Sequence, residues 1–464
     1  MAKSKTTERD VEREFSRRSL MKWTVAAGAA LGVSRSGVFD ILEKAGGKAM
    51  AADAACHPTN RSVHIIAGNG GFAWFQLLWP HNDVAAARNN GFSFHAPGQE
   101  TMAQGTTKPL TLGPQAPWKT LPGAKQVTAF MCGNNETHTN QPNSTSTIGG
   151  NSVFAIAASL QQTNPSVIPV IAVDDVPFGN APGAPRVSRV GGADQIVGLF
   201  NSAASRMGGL LSKSTDADIY KAHYDAMVSL NRAANRSTTT AAYATGKSAA
   251  KLLGTNLASA LAVSPDDLSR YGVDGGTRQA LIDMAGTLIV AVKAFKLGLT
   301  SSVVLPALRD DPHGAFNDMT NLVATVTSLG KILDGFMTDL TMTPDPQCAG
   351  SSLADSVVMT IHGDTPKDPL DRNGWPDGTT GNSNWTYVLG NGLLKTGWFG
   401  GIDRGGGVKG FDPATGGEIA FNGAQTAKAA TAAIVYAIAK GDPRRVGDFA
   451  QGVNLNGITN PVQM

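Results

Sequence analysis

Four ionisable residues follow an apolar segment in the middle of the chain. Residues 302–305 read Ser-Val-Val-Leu, a composition typical of a buried strand, and soon afterwards come Arg309, Asp310, Asp311 and His313. Ligands of parallel sheets lie outside the carboxyl ends of the strands. Carboxylates and imidazoles at such a position suit Zn or a similar divalent ion, which can activate water or polarise a phosphoryl or sulfuryl oxygen.

Polar residues follow other predicted strands in the same way, namely Asn69, Glu136, His138, Asp174, Asp175, His362 and Asp364. The carboxyl ends of parallel strands share one edge of a sheet, so we expect these residues to meet there. Asp311, His313 and His362 form the predicted metal site. The alternative is that these side chains only bond loop amides or face solvent.

The elements that would position these residues alternate along the chain. Strands are predicted at 62–67, 126–131, 166–173, 302–305, 355–361 and 385–389. Helices are predicted to begin near Asn151, to span 277–297 and 424–440, and to follow the capping residues Asn317 and Asp318. Residues 176–212 look irregular. This alternation predicts an α/β fold with a mainly parallel sheet covered by helices, and consecutive helices at about 213–270 predict a helical insertion.

Length and charge narrow the classes of function. The chain has 464 residues and a formal net charge of +3. Residues 1–51 hold ten basic and six acidic residues, so the remainder carries a net charge of −1. Because that remainder has no basic stripe, we expect no nucleic-acid partner. Residues 52–464 are predicted to form one α/β domain.

The amino-terminal segment resembles a twin-arginine export signal. Arg17 and Arg18 precede Leu20 and Lys22, and an apolar run follows at 23–33. Eleven such residues are too few to span a bilayer, so we expect no stable membrane span after cleavage. Residues 1–51 are the predicted signal peptide, with a cleavage position left open near 49–51. The export machinery is the predicted partner, and the predicted location is periplasmic or extracellular; the alternative is a basic arm before a short helix.

Three cysteines permit at most one internal disulfide and leave one thiol over. Cys56, Cys132 and Cys348 are far apart in sequence, and no pair has metal-ligand spacing. Which two of them pair, if any, stays open.

Several short motifs occur in the order seen in one exported bacterial family. They are the export signal, Ala67-Gly-Asn-Gly-Gly71, Asp311-Pro-His313, Gly363-Asp-Thr-Pro366 and the segment 385–397. Together they resemble a secreted bacterial family of unknown function that is related to the alkaline phosphatase/sulfatase superfamily. The resemblance implies an alkaline-phosphatase-like core and an ancestral metallohydrolase site.

The chain also departs from that pattern at three positions. Gly70 stands where the family usually has Asp, Ile361-His362-Gly363-Asp364 loses a carboxylate and an arginine, and Ser383-Asn384 replaces Asp-His. His362 could replace a lost ligand.

No motif in the sequence identifies a nucleophile. The sulfatase pattern Cys-x-Pro-x-Arg is absent at Cys132, and the hydroxyls of 144–147 also fit a polar loop that caps the next helix. The sequence therefore favours a non-catalytic role in binding or surface assembly. The alternative is an extracytoplasmic metal-dependent hydrolase of phosphate or sulfate esters.

Overall fold

The computed structural model describes residues 61–67, 99–134, 142–161, 166–207, 256–308, 318–363, 380–402 and 407–461, and the single residues 78, 226 and 252. Apart from Ala226, all of them belong to one compact unit made of residues 57–212 and 252–464. Residues 1–56 and 213–251 form a second unit. The predicted signal peptide and most of the predicted insertion therefore lie outside the described residues and stay predictions.

The described strands, in chain order, are β1 (Arg61–Ile66), β2 (Thr101–Met102), β3 (Thr111–Leu112), β4 (Thr128–Asn134), β5 (Thr147–Ile148), β6 (Asn151–Ser152), β7 (Ile168–Val173), β8 (Ser188–Val190), β9 (Thr300–Pro306), β10 (Val357–His362), β11 (Ser383–Leu389), β12 (Gly397–Phe399), β13 (Gly401–Ile402), β14 (Val408–Phe411) and β15 (Glu418–Ala420). The described helices are α1 (Val153–Leu160), α2 (Ala193–Met207), α3 (Leu257–Leu261), α4 (Pro265–Arg270), α5 (Gln279–Lys296), α6 (Met319–Met342), α7 (Gly423–Ile438) and α8 (Pro443–Gly447). Short 3-10 helices occupy Gly123–Lys125, Ser144–Ser146, Leu353–Asp355 and Thr380–Asn382.

Eight strands form the central sheet, in the order β12-β4-β11-β10-β1-β9-β7-β8. β11 is antiparallel to both of its neighbours, β10 and β4, and all other pairings in this sheet are parallel. The prediction of an α/β fold with a mainly parallel sheet is therefore confirmed. The alkaline-phosphatase-like character of the core stays a prediction.

Helices cover both faces of the sheet. On one face, Val63, Ile65 and Leu305 share an apolar core with α5 and α6. On the other face, Ile66, Val304 and Val358 pack into a core with α1 and the alanine-rich helix α7. Because both faces are covered, every residue of β1 and β10 is buried, as is usual for parallel strands.

Local sequence signals explain several helix boundaries. Asp318 caps α6 by accepting a hydrogen bond from the amide of Asn321, at the position that the sequence predicts. α4 begins at Pro265 behind a capping box formed by Ser264 and Asp267. Ser152, rather than the predicted Asn151, caps α1.

The prediction that 176–212 is irregular is wrong in part. This region contains β8 and the fifteen-residue helix α2. Gly191 and Gly192 precede α2 and Gly198 lies within it, and these glycines weaken a helix prediction although Ile196 and Phe200 are buried at helical spacing.

Two of the cysteines are described, and they differ. Cys348 is disulfide-bonded to a partner outside the described residues. Cys132 is a free thiol in β4, fully buried, and burial raises its pKa to about 12. Within the part of the chain that the structure describes, no helix has both the length and the apolar character needed to cross a membrane.

Candidate functional site

The candidate site is the sheet edge where β1, β4, β9 and β10 end and the antiparallel strand β11 begins. We call this edge the rim. The amide of Ala67 donates to the carbonyl of His362 (2.9 Å), and the amide of Ala307 donates to the carbonyl of Ile66 (2.8 Å). These bonds extend the ladder beyond the strand ends, so the rim is held rigidly where the sequence predicts chemistry.

His362 is the one predicted metal ligand that lies among the described residues. It occupies the last position of β10 and is completely buried. Its Nε2 lies 2.7 Å from the hydroxyl of Thr360, and its Nδ1 lies 2.9 Å from the carbonyl oxygen of Thr145. Both ring nitrogens are therefore engaged, and in this arrangement His362 has no free lone pair for a metal.

A second histidine, which the sequence analysis did not single out, extends this network. His64 in β1 is the direct neighbour of Thr360 in β10, and its Nδ1 lies 2.7 Å from the Thr360 hydroxyl. The single hydroxyl thus bridges two imidazoles, and all three side chains are fully buried. No signal in Ser62-Val-His-Ile indicates that His64 is buried, because polar residues that alternate with apolar ones in a strand usually face solvent.

The carbonyl of Thr145 fixes the direction of every hydrogen bond in the network of His362, Thr360 and His64. A carbonyl oxygen only accepts, so Nδ1 of His362 carries the proton and donates to Thr145. The unprotonated Nε2 of His362 then accepts from the Thr360 hydroxyl, whose oxygen in turn accepts from Nδ1 of His64. Nε2 of His64 is left as a buried lone pair with no hydrogen-bond partner.

Burial keeps both imidazoles neutral. Loss of solvation lowers the pKa of His362 to about 4, although the hydrogen bond to the Thr145 carbonyl opposes the shift. Burial, together with the charge that His362 would carry, lowers the pKa of His64 well below its ordinary value. Phe154 of α1 packs against both rings, at centroid distances of 5.0 and 4.9 Å, and adds to their apolar surroundings.

The loop before α1 covers the end of β10 and uses its own polar groups to do so. Asn143 Nδ2 donates to the carbonyl of Gly363 (2.7 Å), and the Thr145 hydroxyl donates to Oδ1 of Asn143 (2.7 Å). A Cβ atom at Gly363 would lie 2.2 Å from Oδ1 of Asn384, so only glycine fits beside the start of β11 at this position. The loop is therefore locked to the rim by hydrogen bonds.

The four hydroxyls considered as nucleophiles all have such structural roles. Thr145, Ser146 and Thr147 each donate to Asn143, and Ser144 Oγ accepts from the amide of Asn134 (3.0 Å). Thr145 and Ser146 are also buried. These residues form a polar loop, as the alternative interpretation expects, but they do not cap α1, because Ser152 does so.

Asn384 is buried at the start of β11. It occupies the position at which the family resemblance implies a histidine. Its Oδ1 accepts from the amide of Trp385 (2.8 Å), and its Nδ2 donates to the carbonyl of Asn134 (3.4 Å). It is a neutral group that closes the local backbone, and no charge is available there to hold a cation.

Asp311 and His313 lie outside the described residues. The structure describes all of β9, and this strand lies between β1 and β7 in the middle of the sheet. Ala307 and Leu308, which follow it, are buried. The segment that contains Arg309, Asp310, Asp311 and His313 therefore begins directly after a central strand, as the sequence predicts.

Asp174 and Asp175 follow β7, the neighbour of β9, and both are exposed. They line an open depression of about 600 Å³ together with Arg189 and Gln195. Asp174 has a left-handed backbone (φ 62°), and Arg189 fixes this turn by donating to the carbonyls of Asp174 (3.1 Å) and Val176 (3.0 Å). Among the described residues, no three acidic, histidine or cysteine side chains are close enough to hold a metal ion.

Of the other predicted rim residues, Asn69, Glu136, His138 and Asp364 lie outside the described part of the chain.

Comparison of the chain with protein-family models, with curated proteins and with solved structures finds no match.

Proposed function

We propose that this chain is an exported, non-catalytic protein with an alkaline-phosphatase-like core that serves in binding or surface assembly. One observation carries the proposal. His362, the predicted ligand on β10, has both ring nitrogens bonded inside the core and is held neutral at physiological pH.

The groups around His362 support the same interpretation. Asn384, Asn143 and Thr145 are neutral, buried and satisfied by neighbours within 3.5 Å. A hydrolytic metal needs anionic or imidazole ligands with lone pairs that point into an open position. On the described part of the β10–β11–β4 rim, the polar groups instead hold the backbone together. Such a rim suits a rigid surface better than a catalyst.

The alternative is an extracytoplasmic metal-dependent hydrolase of phosphate or sulfate esters. The observation that favours it is the course of β9, a buried central strand after which Asp311 and His313 follow within seven residues. In that case Zn or a similar ion would be held by Asp311 and His313 without His362.

The metal content of the purified protein separates the two functions. The protein is analysed by mass spectrometry for bound divalent metal and is then assayed with p-nitrophenyl phosphate and p-nitrophenyl sulfate. We expect no stoichiometric metal and no turnover. His313→Ala and Asp311→Asn are the test variants, and Asp175→Asn is the matched control, a carboxylate at the same rim on a different strand.

Stoichiometric metal that is lost in His313→Ala but retained in Asp175→Asn, together with ester hydrolysis, would overturn the non-catalytic proposal. Protein that stays free of metal after incubation with excess Zn, and that is inert toward both esters, supports it.

Export is tested separately from chemistry. Replacing both Arg17 and Arg18 by lysine keeps the charge but removes the paired arginines, and we expect the full-length precursor to accumulate in the cytoplasm. The matched control replaces Arg9 and Arg13 by lysine, which changes the same number of arginines outside the motif. Equal export of both variants, measured by cell fractionation, would argue against the twin-arginine machinery as a partner.

A further inference from the structure

A groove lies between α8 and the segment 452–461 that follows it. Its volume is about 790 Å³, which falls within the range of roughly 300–1,000 Å³ that is typical of pockets for small molecules. Tyr436 of α7, Val446 of α8 and Leu455 give it an apolar lining, and all three are buried. We call this cavity the α8 groove.

Hydrogen bonds fix the walls of the α8 groove. The hydroxyl of Tyr436 donates to the carbonyl of Asn460 (3.0 Å), and Nδ2 of Asn460 donates to the carbonyl of Leu394 (3.0 Å). The amide of Ala450 donates to the carbonyl of Val446 (2.8 Å). The groove is therefore formed in advance, and a ligand that enters it does not have to order a loop.

The lining of the α8 groove is uncharged. None of the described residues that line it is acidic or basic. The charges carried by α8 itself are paired with each other, Arg444 with Asp442 (2.9 Å) and Arg445 with Asp448 (3.5 Å). Burial raises the pKa of Tyr436, so its phenol also stays neutral. A charged ligand would lose hydration in this groove without gaining an opposite charge from the lining, so the groove fits a neutral ligand.

The polar groups of the lining require a ligand that both donates and accepts hydrogen bonds. Asn454 and Asn456 are exposed, and of their two carboxamides only Oδ1 of Asn454 bonds a described residue, accepting from the amide of Asn456 (3.0 Å). The hydroxyls of Tyr436 and Thr459 already donate to carbonyls, so their oxygens can only accept. A carboxamide offers donors and an acceptor. Ligand hydroxyl groups satisfy both kinds of partner.

We propose that the α8 groove binds a neutral saccharide of one or two sugar units. The proposal is independent of the function proposed above, because it uses none of the rim residues. The apolar faces of the sugar rings would pack on Tyr436, Val446 and Leu455, and the sugar hydroxyls would bond the carboxamides of Asn454 and Asn456. A purely apolar ligand would leave those carboxamides unused, and an anion would meet no cation.

The test uses the full-length purified protein and three neutral disaccharides as probes, namely maltose, cellobiose and N,N′-diacetylchitobiose. Binding is followed by saturation-transfer difference NMR. We expect at least one disaccharide to bind with a dissociation constant of about 1 mM, as suits a small ligand without a charged anchor. The affinity should be the same at low and high salt, because no ion pair contributes to it.

A glycine in the lining allows the groove to be filled by substitution. Gly447 lies at the end of α8, and a Cβ atom there would meet no atom within 4 Å. Gly447→Val therefore occupies the groove without straining the fold, and we expect it to weaken binding by roughly tenfold. The matched control is Gly198→Val in α2, where a Cβ atom also meets no atom within 4 Å and where binding should not change.

A second variant removes a hydrogen-bonding group instead of adding bulk. Asn456→Ala truncates an exposed side chain, and we expect it to weaken binding by roughly fivefold. If Gly447→Val does not fold, Asn456→Ala decides.

Absence of binding by all three disaccharides at about 10 mM would overturn the proposal, and so would wild-type affinity in Gly447→Val and Asn456→Ala. Binding of n-octanol in place of the saccharides would overturn it as well, because the groove would then take an apolar ligand. A dimer that Gly447→Val converts to a monomer would show that a second copy of the chain fills the groove, which contradicts a saccharide site.

Discussion

The two ends of the central sheet handle buried polar groups in opposite ways. At the rim, His64, Thr360 and His362 are all neutral and pass one hydrogen bond to the next in a fixed direction. At the amino end of the strands, Arg61 and Asp345 form a buried ion pair. The end where parallel sheets usually bind ligands is thus uncharged among these residues, whereas the opposite end keeps its charges.

This difference shows that the burial of polar side chains does not by itself identify a ligand-binding site. A neutral network is inexpensive to bury because every donor finds an acceptor, and it gives the rim a single geometry. A buried ion pair is held by its partners and leaves a large penalty when one of them is removed. The predictions below break one end or the other, from the largest expected effect to the smallest.

Removing Asp345 should cause the largest loss of stability. Asp345→Ala leaves the buried Arg61 guanidinium unpaired, and we expect the free energy of unfolding to fall by about 3–5 kcal/mol. Urea denaturation measures the change. The control is Arg445→Ala, which breaks the exposed pair of Arg445 and Asp448 and should cost less than about 1 kcal/mol. Similar losses in the two variants would show that the buried pair stabilises the fold no more than the exposed pair does.

Acidification should weaken the rim. The pKa of His362 is about 4 in the folded protein, against about 6.5 for an unfolded histidine, so the unfolded state binds more protons between these values. The stabilisation is complete above pH 6.5 and is lost as the pH falls to 4, by about 3 kcal/mol. Denaturation curves between pH 7.5 and 4 measure it.

The histidine contribution is isolated by comparison with His362→Gln, in which the slope between pH 6.5 and 4 should become shallower. An unchanged slope would assign the acid sensitivity to other groups.

Deleting the bridging hydroxyl should have an intermediate effect. Thr360→Val keeps the shape of the side chain but leaves the buried Nδ1 of His64 and Nε2 of His362 without partners, which we expect to cost about 2 kcal/mol. Thermal denaturation measures the change. Thr431→Val is the control, because that buried hydroxyl only bonds carbonyls within α7. If both variants lose the same stability, the Thr360 hydroxyl contributes no more than a buried hydroxyl that bonds only within a helix.

Relief of backbone strain at Lys440 should give the smallest change, and one of opposite sign. Lys440, which follows the end of α7, has a left-handed backbone with φ 55°. Lys440→Gly allows this conformation without a Cβ, so we expect a gain of about 1 kcal/mol in the free energy of unfolding. Lys440→Ala removes the same amine but keeps the Cβ, and it should gain less. Equal stabilities of the glycine and alanine variants would mean that the backbone is not strained there.

Much of the sheet could be predicted from the sequence, because buried parallel strands read as short apolar runs with β-branched residues. Residues 302–305 lie inside β9, and the predicted strand at 355–361 differs from β10 by two residues at its start and one at its end. The reversed direction of β11 could not be predicted, since the residues of an antiparallel strand look the same when they are buried on both faces.

The site was harder to predict than the fold. That His362 follows a strand was evident, but its ring nitrogens are bonded to Thr145 and Thr360, and Thr145 is 217 residues away in sequence. His64 looked like any residue of a first strand, and its role depends on the register that sets it beside Thr360. Contacts of this kind arise from strand order, which local patterns do not contain.

The buried thiol of Cys132 has a consequence for how the covalent structure is preserved. Thiol–disulfide exchange requires an accessible thiolate, and Cys132 is fully buried in β4 with a pKa of about 12. While the chain is folded, Cys132 therefore cannot attack the disulfide at Cys348. Disulfide exchange that is started by Cys132 therefore requires β4 to leave the sheet.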